Sequence, residues 1–406
     1  MKAWHIGVRS IGRNRRRTFV TTAAMAFGGA IMIFYATLVS GFMDTLERNA
    51  LLMETGDLQV HAPGYRRDPD LYKTIKAPAA IVAELESIGL KAAPRLYGFG
   101  LAAAGASSAG VQIRGVQVNR ERQVTRLHSH VKQGQWLDPS VPSEVVLGRK
   151  LAKTLHVAVG DEVVVVSQAS DGATANELYT VRGVLGSVGD GLDRAGFFVT
   201  EAAFRQLLVV PEGAHEIAAI RIDRGVDLGA VTQAAVQRTE GLDTQNWREL
   251  QPLLAQMMDT TYAGQSFMLI ITYLAVAMVV LNATLMSVFE RIREFGVMKA
   301  LGVPPWGVAQ VVFFEVMTQG LIAMSLAIAA GYGVSKYFEV HGMDMSSMTS
   351  GASMMGIAFD PIWYTRVTLA GVLVPAVSLL LVVLLAAIYP GVKAAVISPA
   401  EAMHHV

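Results

Sequence analysis

Four long apolar blocks punctuate the chain. Residues 18–42 and 265–289 carry no charged side chain, residues 306–332 carry only Glu315, and residues 367–389 carry none, with Pro375 near the middle. A helix needs about 20 consecutive apolar residues to cross the hydrocarbon core of a bilayer. A buried helix of a soluble domain rarely stays uncharged that long. The pattern therefore predicts four transmembrane helices, over 18–43, 265–289, 306–334 and 367–389. The first block follows a basic segment, as in a signal peptide, but its apolar run exceeds the roughly 7–15 residues of a signal core.

Between the first two blocks the pattern changes to short runs. Residues 56–60 and 111–118 alternate as strands do. Residues 144–147, 162–167, 176–185 and 196–199 read as further strands, and 148–155, 202–208 and 231–239 as helical turns. Residues 44–264 are expected to form an α+β domain. The predicted fold class is a membrane α-helical protein of four transmembrane helices, with a large α+β domain inserted between helices 1 and 2, periplasmic by the resemblance described below.

Charge then orients the helices. Residues 1–17 hold Lys2, Arg9, Arg13, Arg15, Arg16 and Arg17 and no acid. The short segment 290–305 holds Arg291, Arg293 and Lys299, and the tail 390–406 holds Lys393. Residues 340–365 hold Asp344 and Asp360 but no Lys or Arg, with Lys336 and Arg366 on their flanks. The positive-inside rule places both termini and 290–305 in the cytoplasm, and 44–264 and the loop 335–366 outside. The expected location, a bacterial inner membrane, is what the family resemblance described below implies.

Composition agrees and narrows the chemistry. Only 17% of residues are charged, against about 25% in a soluble domain. A net charge of +1 gives no sign of a nucleic-acid partner, and none is expected. The absence of cysteine excludes disulfides, thiolate metal sites and cysteine nucleophiles. No phosphate-cradling GxxxxGK[ST], HExxH or GxSxG motif occurs. His128 and His130 lack a third ligand nearby, and Ser187, in the glycine-rich stretch 186–191, has no legible His and acid partners. No catalytic site, metal or cofactor bound by this chain is expected.

Segment 290–305 is the most informative. Charges open it, then an apolar, glycine-bearing stretch follows. Gly296 and Gly302 permit chain reversal or caps, and Pro304 and Pro305 suit the first turn of the next helix. Residues 297–301 read as a short helix under the membrane. Phe295, Val297, Met298 and Leu301 are expected to be exposed there. An apolar patch rimmed by charge suits a protein contact. An interfacial loop dipping into lipid fits the same residues, and the residues alone leave both readings open.

Polar groups inside the blocks are few. An intramembrane acid costs about 2.5–3.5 kcal/mol at the bilayer centre by insertion scales. Glu315 is expected either to pair locally near the headgroups or to couple helices, across a dimer or to the 290–305 loop. Asn282 is expected to make an interhelical hydrogen bond, and Ala24, Gly28 and Gly29 to give the first helix a small packing face. Met343, Met345, Met348, Met354 and Met355 crowd the last external loop, where methionine suits an adaptable apolar surface.

The stretch ERIREFGVMKALGVPP at 290–305 resembles the coupling loop of the FtsX-like permease family, which includes the MacB and LolC/LolE-type ABC transporter permeases. FFEVMTQG at 313–320 is similar to the start of that family's third helix, with its acid at Glu315. YPGVKAAVISPAEAM at 389–403 is similar to its C-terminal signature. VQIRGV at 111–116, VVLGRKLAKTL at 145–155 and VAVGDEVVVV at 157–166 look closest to the lipoprotein-releasing LolC/LolE type. MacB itself differs, because its ATPase is fused at the N-terminus and only 17 residues precede the first block here.

The resemblance implies a transporter subunit rather than an enzyme. Two permeases, identical or paired with a sibling, would sit on a separate cytoplasmic ABC ATPase that holds the ATP and Mg²⁺. Glu290, Arg291, Arg293, Glu294, Phe295, Gly296, Met298, Lys299, Ala300, Leu301 and Gly302 would dock on that ATPase. By mechanotransmission the pair would extract a lipoprotein from the outer leaflet and pass it to a periplasmic carrier. Phe34, Phe42, Met268 and Met278 are candidate lining of the cargo cavity, between the first and second helices. MacB-like export with a periplasmic adaptor and FtsX-like regulation of a periplasmic enzyme are the implied alternatives.

Overall fold

The computed structural model describes residues 15–223, 225–349, 353–354, 357–358 and 362–398. Lys2, Arg9, Arg13, Met355, Asp360 and the tail from 399 onward lie outside the described residues, as do the side chains of Met348 and Met354. The chain divides into two compact units. One comprises Met1–Asp44, Met258–Met348 and Pro361–Val406, the other Thr45–Met257 with Thr349–Asp360.

The first unit is helical. Its long helices are α1 (Arg15–Ala50), α2 (Pro252–Glu290), α4 (Pro305–His341) and α5 (Leu369–Val396), with the short α3 (Ile292–Ala300) between α2 and α4. Each long helix is long and apolar enough to cross a membrane. Three run beyond the predicted spans at both ends, and α5 begins two residues inside its span, at Leu369, and runs past its end to Val396. The bilayer sets only the length of the apolar stretch, whereas helical hydrogen bonding continues into polar turns such as 252–264. Pro252 at the first turn of α2 and Pro305 at that of α4 fit there because those N–H groups have no helical partner anyway.

The helices meet through small residues. A Cβ on Gly29 would lie 2.8 Å from Ala327 Cβ and 2.8 Å from Leu379 Cδ2, and one on Gly28 3.0 Å from Val276. The predicted small face thus exists at these two glycines. Ala24 is exposed instead; the close approach falls one turn later, at Gly28 and Gly29. Around Gly29 pack Met25, Met32, Tyr273, Ala376 and Leu379. The buried Tyr273 hydroxyl donates to the Pro375 carbonyl at 2.7 Å, and the Thr37 and Ser335 hydroxyls meet at 2.8 Å between α1 and α4. Of the methionines expected to crowd the last loop, Met343 pairs with Trp363 in a two-stranded ladder.

The second unit is built on one ten-stranded sheet. Its strands are β1 (Leu58–His61), β2 (Leu90–Ala104), β3 (Ser107–Val116), β4 (Val131–Gly134), β5 (Glu144–Leu147), β6 (Glu162–Gln168), β7 (Thr174–Leu185), β8 (Gly196–Thr200), β9 (Glu216–Arg221) and β10 (Asp243–Asn246). The order is β10-β1-β9-β2-β3-β8-β5-β7-β4, with β6 pairing both β2 and β7. Only β3–β8 and β5–β7 are parallel. In β6, Val163 and Val165 face the core and Val164 and Val166 face out, the period-two signature of a half-buried strand. Helices Pro78–Ser87 and Leu228–Arg238 cover β1, β2 and β9 through Val82, Leu85, Val231 and Ala235. A second core gathers Leu151, Val163, Tyr179, Val181, Phe197 and Phe204.

A buried ion network fastens the centre of this sheet. Arg95 of β2 donates from Nε and Nη2 to the two Glu121 carboxylate oxygens at 3.0 and 2.7 Å. Its Nη1 reaches Glu216 of β9 at 2.8 Å, and His61 of β1 lies 3.3 Å from the other Glu216 oxygen. Burial alone would push the Glu216 carboxyl up, but the His61 hydrogen bond and the Arg95 guanidinium outweigh it and hold it at about 2. An unfolded glutamate titrates near 4.5. The stabilisation is therefore complete above that value and is lost as pH falls towards about 2. The thermal midpoint of the full chain in detergent, followed by fluorescence of the buried Trp247, is expected to fall across that acid window. Glu216→Gln is expected to lower the midpoint at neutral pH by the equivalent of about 3 kcal/mol and to flatten the acid window.

Candidate functional site

The segment between α2 and α4 folds back against the helices. Arg291 (φ −111°) breaks the helical run, and α3 then spans Ile292–Ala300 rather than the predicted 297–301. Gly296 is buried inside α3 and tolerates a helical conformation at modest cost. The helix ends at Gly302, whose φ of +90° is the left-handed C-terminal stop that glycine adopts freely. Its N–H bonds to Lys299 O at 3.0 Å, and the Val303 N–H to Met298 O at 3.0 Å.

This geometry divides the predicted coupling residues into two faces. Phe295, expected to be exposed, is 1% exposed. It packs with Val288, Val308, Val312 and Ala394, under the Arg291 guanidinium at 5.2 Å from its ring. The reason is helical period: Ile292, Phe295, Gly296 and Lys299 fall at i, i+3, i+4 and i+7, one face of a helix that starts earlier than predicted. Met298 is half-buried against the same cluster. Lys299 also turns inward. Its Nζ donates to the carbonyls of Ala394, Ala395 and Ile397 at 3.0, 2.6 and 2.7 Å, so it caps the C-terminus of α5, where carbonyls lack helical donors. Arg293, Val297, Ala300, Leu301 and Gly302 are exposed, and Leu301 is 81% so.

A polar chain joins the helix ends. Arg291 Nη1 pairs with Glu315 of α4 at 2.9 Å, and Arg291 Nε with Glu294 at 3.1 Å. Ser287 of α2 donates to Glu315 at 3.5 Å. Arg17 of α1 donates to Ser287 Oγ at 2.9 Å and pairs with Glu290 at 2.6 Å. Glu315 is thus paired with the segment between α2 and α4, and α1, α2, α3 and α4 all contribute. Arg17 and Ser287 were absent from the candidate set. Their signal is plain in retrospect: Arg17 is the last charge before block one, and Ser287 lies one helical turn before Arg291.

The remaining candidates are not gathered into one site. Asn282 makes no hydrogen bond to a neighbouring helix of this chain among the described residues. It is exposed on α2, one turn from the exposed Met278 and Met286. Phe34 packs against Phe338, with ring centroids 5.7 Å apart, and Phe42 against Trp363 at 4.4 Å. Met268 and Met278 are half exposed on α2.

Residues 18–238, more than half of the chain, match the family model of the MacB-like periplasmic core domain. Residues 266–390 match that of the FtsX-like permease C-terminal region. The chain belongs to the FtsX-like, MacB-type permease family. The permease is 24% identical over 420 aligned residues to "Lipoprotein-releasing system transmembrane protein LolC" of Xylella fastidiosa (strain Temecula1), covering 98% of each chain. It is 23% identical to the protein of the same name from Neisseria meningitidis serogroup B, over 82% of this chain and 81% of that one. Among solved structures, the periplasmic region of MacB from Actinobacillus actinomycetemcomitans aligns with 49% of this chain and 91% of its own, at 13% identity and TM-score 0.36. The permease is thus an inner-membrane subunit of the ABC transporter class, and its family implies an ATPase partner.

The polar chain makes a quantitative prediction. Arg291→Met would leave Glu315 buried without its cation and cost about 3 kcal/mol. Arg291→Met combined with Glu315→Met is expected to recover most of that loss. Thermal unfolding of the detergent-solubilised permease, read as a double-mutant cycle, measures the coupling.

Proposed function

We propose that this permease is the membrane subunit of a lipoprotein-releasing ABC transporter. ATP and Mg²⁺ are held by a separate cytoplasmic ATPase. A second permease, identical or a sibling, completes the membrane part. The reading is carried by the similarity to LolC over 98% of both chains, which spans the sheet unit and the helices together.

The coupling step follows from the two faces of α3. The outward face, with Val297, Leu301 and the neighbouring Trp306 exposed, docks on the ATPase. The inward face transmits its displacement, because Phe295 is packed among α2, α4 and α5 and Lys299 is bonded to the end of α5. Rigid packing leaves little slack for the displacement to dissipate. The helices then close on acyl chains entering from the outer leaflet, and the periplasmic domain hands the cargo to a soluble carrier. Acyl chains explain the need for ATP: at about 0.8 kcal/mol per buried CH₂, extraction into water is prohibitive unaided.

A second reading is export with a periplasmic adaptor, favoured by the MacB-like core over residues 18–238. Copurification separates the two: a lipid-binding carrier supports release, and an adaptor supports export.

Release is tested in proteoliposomes holding the permease, its cognate ATPase and a triacylated lipoprotein. ATP with a soluble carrier is expected to free the lipoprotein. Leu301→Asp is expected to reduce release at least about tenfold, the effect of losing roughly 1.4 kcal/mol of docking energy, with an unchanged thermal midpoint. ATPase activity that remains membrane-coupled without any release would overturn the lipoprotein reading in favour of export.

A further inference from the structure

The sheet unit contains a cavity of about 380 Å³ whose chemistry the coupling mechanism does not use. It opens on one face of β2 and β3, beside Glu54 and Thr55, which follow α1 in sequence, and Leu250 and Gln251, which precede α2. Its volume falls within the usual range of ligand sites, about 300–1,000 Å³.

The charges of its lining cancel. Arg66 and Arg114 are matched by Glu54 and Glu216. Arg114 Nη2 pairs with Glu54 at 2.5 Å, and Glu216 is already held by Arg95. An anion or a cation would therefore meet a repelling charge as well as an attracting one. Hydrogen-bonding capacity nevertheless remains. Arg114 spends Nε and Nη2 on Gln112 and Glu54, and Nη1 bonds to nothing among the described residues. The Tyr65 hydroxyl has no hydrogen-bond partner among them either, and burial pushes its phenol up, so it stays a donor. The Tyr65 ring stacks between His61 and His215, at 5.8 and 5.4 Å, and His61 Nδ1 is buried with no partner.

The cavity is not closed at its far side. Phe99, in its wall, is 64% exposed, and Leu101, next on the same face of β2, is 49% exposed. Across the ladder from Leu101 lies Val166, also exposed. A ligand that fills the cavity continues onto an apolar strip, as a chain does and a compact metabolite does not.

We propose that this cavity binds an extended, uncharged stretch of polypeptide, its main-chain carbonyls accepting from Arg114 Nη1 and the Tyr65 hydroxyl and its apolar side chains lying along Phe99 and Leu101. The proposal rests on the lipoprotein reading for its occupant: the unfolded segment of the cargo that follows the lipid anchor.

The test uses the full-length permease in nanodiscs and short fluorescein-labelled peptides without acyl chains, read by fluorescence anisotropy. An uncharged peptide is expected to bind more tightly than same-length peptides rich in Glu or in Lys. Tyr65→Phe, which keeps the stacked ring, is expected to weaken binding about fivefold, the loss of one hydrogen bond. Phe99→Ser, at an exposed ring that the fold does not need, is expected to weaken it as well. Equal affinity of wild type and both variants, preference for a charged peptide, or no binding would overturn the proposal. The two readings fail separately. ATP-driven lipoprotein release alongside unchanged peptide affinity in the variants sinks only the cavity. Peptide binding that the variants weaken, in a permease that releases no lipoprotein, sinks only the release reading.

Discussion

A carboxylate inside an apolar helix must find a cation, and this need organises the end of the helical unit where α2 meets α4. Glu315 lies in α4, in a block otherwise without charge, and it is 8% exposed. Its cation cannot come from the block itself. It comes from Arg291, at 2.9 Å, and Arg291 reaches it only if the chain turns sharply after α2. The turn carries α3 back beneath the helices. Once there, Phe295 has a buried place and Lys299 meets the last carbonyls of α5. An unpaired Glu315 would carry the desolvation cost of a buried charge, which exceeds the value of any single apolar contact nearby.

The same arrangement holds this segment at several points rather than one. A loop held by one contact would absorb a push by bending. Here the load is shared by an ion pair to α4, the Phe295 contacts and the Lys299 cap on α5, while the Arg17 pair ties α1 to α2. Exposed ion pairs such as Arg17–Glu290 contribute little stability. Their value here is geometric, since they fix which helix ends move together. The close glycine contacts of α1 with Ala327 and Leu379 extend that constraint into the bundle.

The four spans were legible because charge is excluded from them, and that signal needs no knowledge of packing. The strands of the sheet were read unevenly, for a physical reason. β6, EVVVVSQ, is rich in β-branched residues and alternates, whereas β2, LKAAPRLYGFGLAAA, is rich in alanine and glycine and contains Pro94, so it carries no strand signature. Yet β2 is central and pairs with β3, β6 and β9. Its small residues are tolerated because neighbours on both edges supply its order. In the coupling segment the resemblance identified the stretch, but the inward turn of Phe295 and Lys299 was hidden. A lysine at i+7 of an apolar face reads as the solvent side until a helix end with bare carbonyls is seen to receive it. Asn282 misled in the opposite way, since a polar residue among apolar ones suggests a partner helix and this chain supplies none among the described residues.

The sheet unit solves the corresponding problem where the chain enters and leaves it. The Glu54 carbonyl accepts from Arg95 Nη1 at 2.6 Å, and Thr55 Oγ1 accepts from the Gln251 amide at 2.6 Å. The Trp247 N–H bonds to Asp57 O at 2.9 Å, and the Asp57 carboxylate holds Arg221 of β9. The segment arriving from α1 and the segment departing to α2 are therefore bonded to each other and to the central strands. Through the Glu54 carbonyl this junction also joins the buried network of Arg95, Glu121 and Glu216. Those groups are buried and mutually paired, so they resist being separated. The two connections are therefore held by the same buried groups rather than each fraying on its own.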